Sequence, residues 1–138
     1  MDKLFIDTNI LIYSNDWKSP FNELTLKTLI DLSKSHNIVI STQTIREYAK
    51  FVTVTSNFEN ALKGINIYIN QFKILYESRE SFEKWFELIE QYKIIGKLVF
   101  DCNIVATMLV NDVKKILTNN PNDFIKFKNE ITVLPLVK

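Results

Sequence analysis

Four carboxylates stand close to short apolar runs or open a helix: Asp7 follows Leu4-Phe5-Ile6, Glu47 lies seven residues beyond Ile40, Asp101 precedes Ile104-Val105, and Asp123 follows Lys115-Ile116-Leu117. Like charges gathered in one place repel, and a buried unpaired carboxylate is costly or becomes protonated. A divalent cation resolves that conflict. Hard oxygen donors suit Mg²⁺ or Mn²⁺, which retain several waters and bind through one or two carboxylates, with phosphate oxygens completing the shell. Such a site polarises a phosphate ester and activates water.

Other chemistries lack their residues. His36 is the only histidine and Cys102 the only cysteine, so a two-histidine acid–base pair, a Cys/His zinc site and an internal disulfide are all excluded, and no recognisable nucleophile motif surrounds either residue. With two glycines in 138 residues there is no phosphate-binding P-loop and no Gly-rich dinucleotide turn. The net charge of +1 excludes binding of nucleic acid through bulk charge alone. A modest basic rim is expected from Lys114, Lys115, Lys126, Lys128 and Lys138.

The elements that must position the acids follow from periodicity. Leu4–Ile6, Ile38–Ile40, Phe72–Tyr76, Lys115–Leu117 and Ile131–Leu134 read as short buried strands. A short helix after Asp7, one carrying Leu24, Leu29 and Leu32, one from the Ser41–Thr44 caps to about Val54, and one from Phe58 to about Tyr68 alternate with them. Ile65–Ile69 also alternates like a strand. A helix from about Ser81 to Lys93 carries an apolar stripe of Phe82, Trp85, Phe86, Ile89 and Tyr92, suited to core packing or to a partner, and another starts near Asp101. Strands alternating with amphipathic helices predict an α/β layer fold with a mainly parallel sheet, which binds ligands outside the carboxyl ends of its strands. All four acids then reach one edge.

Each acid also has a purely structural use. Asp7 and Asp101 can cap helices, Asp123 can close the turn Thr118–Asp123, and Glu47 fits a capping box with Thr44.

Four segments carry a family resemblance: Phe5-Ile6-Asp7-Thr8-Asn9-Ile10-Leu11-Ile12, Thr44-Ile45-Arg46-Glu47-Tyr48, Asp101-Cys102-Asn103-Ile104-Val105-Ala106-Thr107 and Thr118-Asn119-Asn120-Pro121-Asn122-Asp123-Phe124. In order and approximate spacing, from Phe5 to about Leu134, the chain resembles PIN-domain ribonucleases, and most of all the VapC-type toxins of bacterial toxin–antitoxin pairs. The resemblance implies a three-layer α/β/α fold with sheet order 3-2-1-4-5. It implies an acidic site of Asp7, Glu47, Asp101 and Asp123, holding Mg²⁺ or Mn²⁺ chiefly through Asp7 and Asp101, with Asn9, Thr118 and Asn120 as polar supports. Many relatives carry an acid where this chain has Asn120, which leaves open whether Asp123 or Asn120 occupies the fourth place. An RNA substrate, an antitoxin partner and a homodimer, the last using the Trp85/Phe86 stripe, are also implied.

Two phosphotransfer readings fail on residues. A HAD-type phosphatase needs a second acid where Asn9 stands, and a receiver domain needs a phospho-accepting Asp after the third strand, where Tyr76-Glu77-Ser78 occurs. A housekeeping PIN nuclease or an inactive PIN-like binding module are the alternatives within the resemblance; the presence of all four acids argues against the second. Length and 46% hydrophobic residues predict one domain over 1–138. The start lacks a signal-peptide pattern and no apolar run reaches the roughly 18 residues of a membrane span, so the cytoplasm is the expected location.

Overall fold

The computed structural model describes residues 1–136. In chain order it contains β1 (Asp2–Ile6), α1 (Thr8–Asn15), α2 (Asn22–Ser33), β2 (His36–Ser41), α3 (Thr42–Thr55), α4 (Phe58–Gln71) and β3 (Lys73–Leu75). These are followed by α5 (Arg79–Tyr92), α6 (Leu98–Val110), β4 (Lys115–Thr118), a 3₁₀ helix (Pro121–Phe127) and β5 (Thr132–Pro135).

The five strands form one sheet in the order β3-β2-β1-β4-β5, with every pairing parallel. A parallel sheet needs a crossover between neighbouring strands, so helices cover both of its faces. Side-chain alternation along β1 divides the core accordingly. Leu4 and Ile6 point to the face packed by α1, α2, α3 and α4, whereas Phe5 points to the face packed by α5, α6 and the 3₁₀ helix. That is why the strands read as continuous apolar runs rather than as alternating ones. Burying each of these side chains contributes about 1.5–3 kcal/mol.

Several boundaries differ from the sequence expectation, each for a local reason. Helix α6 begins at Leu98, a turn earlier than expected, with Lys97 as an N-cap that makes no side-chain hydrogen bond. Asp101 is therefore inside the first turn and caps nothing. Helix α3 is closed by a reciprocal box of Ser41 and Thr44, whose hydroxyls accept from the N–H of the other residue at 3.4 and 3.0 Å. Thr44 is thus the third residue of the helix rather than its cap, and Glu47 is left free of capping. The Ile65–Ile69 segment is helical, because Gly64 and Tyr68 of α4 face inward, helix-fashion, onto α3. Gly64 sits so close to Tyr48 that a Cβ there would meet the phenol oxygen at 2.8 Å, so the absence of a side chain sets how near α4 comes to α3.

The stripe on α5 splits. Trp85, Ile89 and Tyr92 pack against the core beside the fully buried Leu88, while Phe82 and Phe86 are 65% and 58% exposed. The lysines do not form one rim at the site. Lys114 and Lys115 lie at the start of β4, the end of the sheet opposite Asp7 and Thr118, whereas Lys126 and Lys128 flank the end of the 3₁₀ helix, and Lys138 lies outside the described residues. His36 is the first residue of β2.

Candidate acidic site

Parallel strands deliver their carboxyl ends to one edge, and the polar residues that terminate them meet there. Asp7 follows β1 and serves as N-cap of α1, its Oδ1 accepting from the Thr8 N–H at 2.8 Å. The capping use read from sequence is therefore real, but it occupies one oxygen only. The other, Oδ2, accepts from the Thr118 hydroxyl at 2.8 Å and from the Asn9 amide at 3.3 Å.

The donors to Asp7 are themselves fixed. Thr118 ends β4, and its oxygen accepts from the Asn120 N–H at 3.0 Å and from the Asn9 amide at 3.4 Å, so its proton is left to point at Asp7. Asn9 Oδ1 accepts from the Asn119 N–H at 3.1 Å, which sets the amide with its NH₂ toward the carboxylate. These bonds tie the end of β1 to the end of β4. Asn120 contributes through its main chain, with no side-chain bond at the cap of the 3₁₀ helix.

Glu47 lies on the exposed side of α3 and accepts from the Thr8 hydroxyl at 2.9 Å. Asp101 projects from the first turn of α6, where the helix dipole favours negative charge. Asp123, in the first turn of the 3₁₀ helix rather than in a simple turn, pairs with Lys97 at 3.7 Å. Two of these partners, Thr8 and Lys97, were not among the residues picked out from the sequence. Thr8 lies between Asp7 and Asn9 and gave a signal that could have been read, but Lys97 gave none, since its partner is 26 residues away.

Asp101 feels the charges of the other three carboxylates, and Asp7 those of Glu47 and Asp123. Burial, followed by the charges of Asp123, Asp7 and Glu47, pushes the Asp101 carboxyl up to about 7, with Lys97 pulling the other way. Asp7 is raised mainly by burial, against the opposing hydrogen bonds from Thr118 and Thr8, with Glu47 and Asp123 adding to the rise. Asp123 thus belongs to the coupled cluster. Cys102, next to Asp101, is fully buried with its thiol pushed up to about 12, and is inert packing.

Among the described residues no group of three or more acidic, histidine or cysteine side chains is placed so that it could hold a metal ion. Mg²⁺ does not need one: it takes one or two carboxylates and leaves the rest of its shell to water and phosphate. Hard oxygen donors, one of them raised to about 7 by burial and then by the charges of its neighbours, fit such an ion. Among the described residues no helix is long and apolar enough to cross a membrane.

The fold is shared with solved toxin–antitoxin structures. A chain of VapBC2 from Rickettsia felis, solved bound to a DNA fragment from its promoter, is 23% identical, with 96% of this chain and 97% of that chain covered at a TM-score of 0.72. VapBC-1 from nontypeable Haemophilus influenzae is 19% identical, covered over 98% of each chain at 0.76. VapC20 from Mycobacterium tuberculosis, a sarcin-ricin loop cleaving toxin, is 14% identical, covered over 83% of this chain and 87% of that one at 0.67. No curated protein matches the sequence. The PIN domain profile matches residues 4–129, nearly the whole sheet with its helices and all four acids, and the chain belongs to the PIN-domain family.

Proposed function

We propose that this protein is a Mg²⁺- or Mn²⁺-dependent endoribonuclease of the cytoplasm, acting as the toxin of a bacterial toxin–antitoxin pair. The observation that carries the reading is the coupling of four carboxylates from four separate elements at the carboxyl edge of the sheet, with Asp101 raised to about 7. The likeness to chains of VapBC complexes supports the toxin role and an antitoxin partner; the VapC20 likeness supports RNA as substrate.

Asp7 and Asp101 would be the chief metal ligands, with Glu47 and Asp123 holding a second ion or orienting water. The ion would supply Lewis-acid polarisation of the scissile phosphate and a lowered pKa for water. The chain supplies the rest. Thr118 and Asn9 hold the Asp7 carboxylate in one orientation, which spares the reaction the reorganisation of a free side chain. Thr8 holds Glu47 against α1. Lys97 balances Asp123 at the rim. Because water rather than the ribose 2′-OH is the nucleophile, the products are a 5′-phosphate and a 3′-OH. A homodimer using the Trp85/Phe86 stripe of α5, of which Phe86 is 58% exposed, completes the reading.

The test is cleavage of single-stranded RNA that stops with EDTA and returns with Mg²⁺ or Mn²⁺, with ligation assays reading the ends. Products bearing 2′,3′-cyclic phosphate would overturn the hydrolytic mechanism. Growth arrest on expression, lost in Asp7→Asn and rescued by the adjacent gene product, tests the toxin role.

A further inference from the structure

Beside the acidic cluster, and touching it only at Glu47, a groove of about 640 Å³ opens between α3, α5 and α6. Its volume lies within the roughly 300–1,000 Å³ of pockets that bury a small organic ligand. One wall is aromatic. Phe82 and Trp85 of α5 stack with ring centroids 5.6 Å apart, and the Trp85 indole N–H is fixed by donating to the Val99 carbonyl at 2.9 Å. Phe100 of α6 also lines it, and Phe82 and Phe100 are 65% and 64% exposed.

The other wall, on α3, carries charge. Arg46 and Lys50 line the groove one helical turn apart, and among the described residues neither forms an ion pair. Two carboxylates also line the groove, each turned to a neutral donor rather than to a cation: Glu47 accepts from Thr8, and Glu77 accepts from the Asn103 amide at 2.9 Å. The same Asn103 amide donates to Gln43 at 2.6 Å, and Gln43 donates to the Phe100 carbonyl at 3.0 Å. This relay ties α3 to α6 and keeps the groove open and shaped.

Exposed aromatic faces beside free cations are the two parts of a single-strand nucleic-acid site, since a base stacks on the rings while the phosphates meet the charges. An apolar protein segment would cover the rings but leave Arg46 and Lys50 without partners. Resting on the nuclease reading above, we propose that this groove seats one unpaired nucleotide of the RNA strand next to the cleaved bond, its base against Phe82 and Phe100 and its phosphate on Arg46 and Lys50. The groove then makes the enzyme selective for unpaired segments, because a base held in a duplex cannot leave its stack to enter.

Trp85 reports on this site directly. Trp17, the only other tryptophan, is 78% exposed, so Trp17→Phe leaves Trp85 as sole emitter. In that protein, carrying also Asp101→Asn to stop cleavage, a short single-stranded oligoribonucleotide with Mg²⁺ is expected to quench the emission, and the matching duplex is not. Phe82→Ala and Phe100→Ala should each weaken Kd about tenfold or more. Lys50→Ala should weaken it and lower the salt dependence by about 0.7 in log–log slope. Equal quenching by duplex, or unchanged Kd in both phenylalanine variants, overturns the proposal even if the parent chain cleaves RNA. Loss of dimer in sedimentation with RNA affinity unchanged overturns it too, and assigns the groove to a second copy. Quenching that depends on Phe82 and Phe100 in a chain that cleaves nothing upholds the groove and overturns the nuclease reading. Absence of any RNA binding by the parent chain overturns both.

Discussion

The two ends of the sheet treat charge in opposite ways. At the amino edge, Lys115 pairs with Asp2 at 3.3 Å, Lys3 donates to the Asn111 carbonyl at 3.1 Å, and the His36 ring lies against Ser35 and the Leu32 carbonyl. Lys115, Asp2 and Lys3 each have a partner from the chain, whereas Lys114 and Asp112 at the same end form no ion pair among the described residues. At the carboxyl edge stand Asp7, Glu47, Asp101 and Asp123, and Lys97, 82% exposed, is the one cation paired with any of them among the described residues. One edge interleaves both signs of charge; the other brings four carboxylates to one side of the sheet with a single paired cation. Buried like charges that the fold holds near one another at a cost in stability mark a candidate site.

The sharpest break of this contrast is at Asp7 and Asp101. Asp7→Asn and Asp101→Asn each remove a charge with little change in volume, so both should fold and both should lose RNA cleavage by about 100-fold or more at matched Mg²⁺. Near-normal turnover in either variant would show that the crowding has no chemical use. Next comes the support of Asp7. Thr118→Val keeps the shape but removes the donor to Oδ2, and it should lower apparent metal affinity about 10- to 100-fold, restored by excess Mn²⁺. A change in cleavage that no metal concentration rescues would instead mean that Thr118 acts on the substrate.

How far the site could be read in advance depended on the range of the interactions. Asp7 was legible because an acid ending a strand is a local feature that a parallel sheet carries to one edge, whereas Asn9 and Thr118 as its supports came only through the family resemblance. The order β3-β2-β1-β4-β5 was not legible from periodicity and came only through the family resemblance. Asp101 was recognised, but the start of α6 was placed a turn late, since Leu98-Val99-Phe100 is apolar and its helix opens without a capping side chain. The opposite fates of Leu88 and Phe86, two residues apart on α5, depended on tertiary packing that a stripe of apolar letters does not encode.

A smaller effect sharpens the contrast through pH. Asp101 titrates near 3.8 when unfolded and near about 7 in the fold. Between those values the folded chain holds a proton that the unfolded chain has released, so stability present below pH 4 is lost as pH rises through about 7. Asp7, also raised, acts in the same direction. In EDTA, Asp101→Asn should melt higher than the parent at pH 8, with the gap closing toward pH 4.5, and Mg²⁺ should stabilise the parent more at pH 8 than at pH 5. A gap that does not vary with pH would show that Asp101 is not held under repulsion.

The smallest effect is expected at the amino edge. The Lys115–Asp2 pair is partly to largely exposed, at 36% and 72%, and such pairs contribute between nothing and about 1 kcal/mol because water and salt screen them. Lys115→Met should therefore cost less than about 1 kcal/mol, and raising salt should shrink even that. RNA cleavage should be unchanged, since β4 separates this end from Thr118 and the acidic residues by its full length. A double-mutant cycle with Asp2→Asn measures the coupling directly. If Lys115→Met instead lowered cleavage while the melting temperature held, the amino edge would be part of the RNA path and the division between a mixed-charge edge and an acidic one would be wrong.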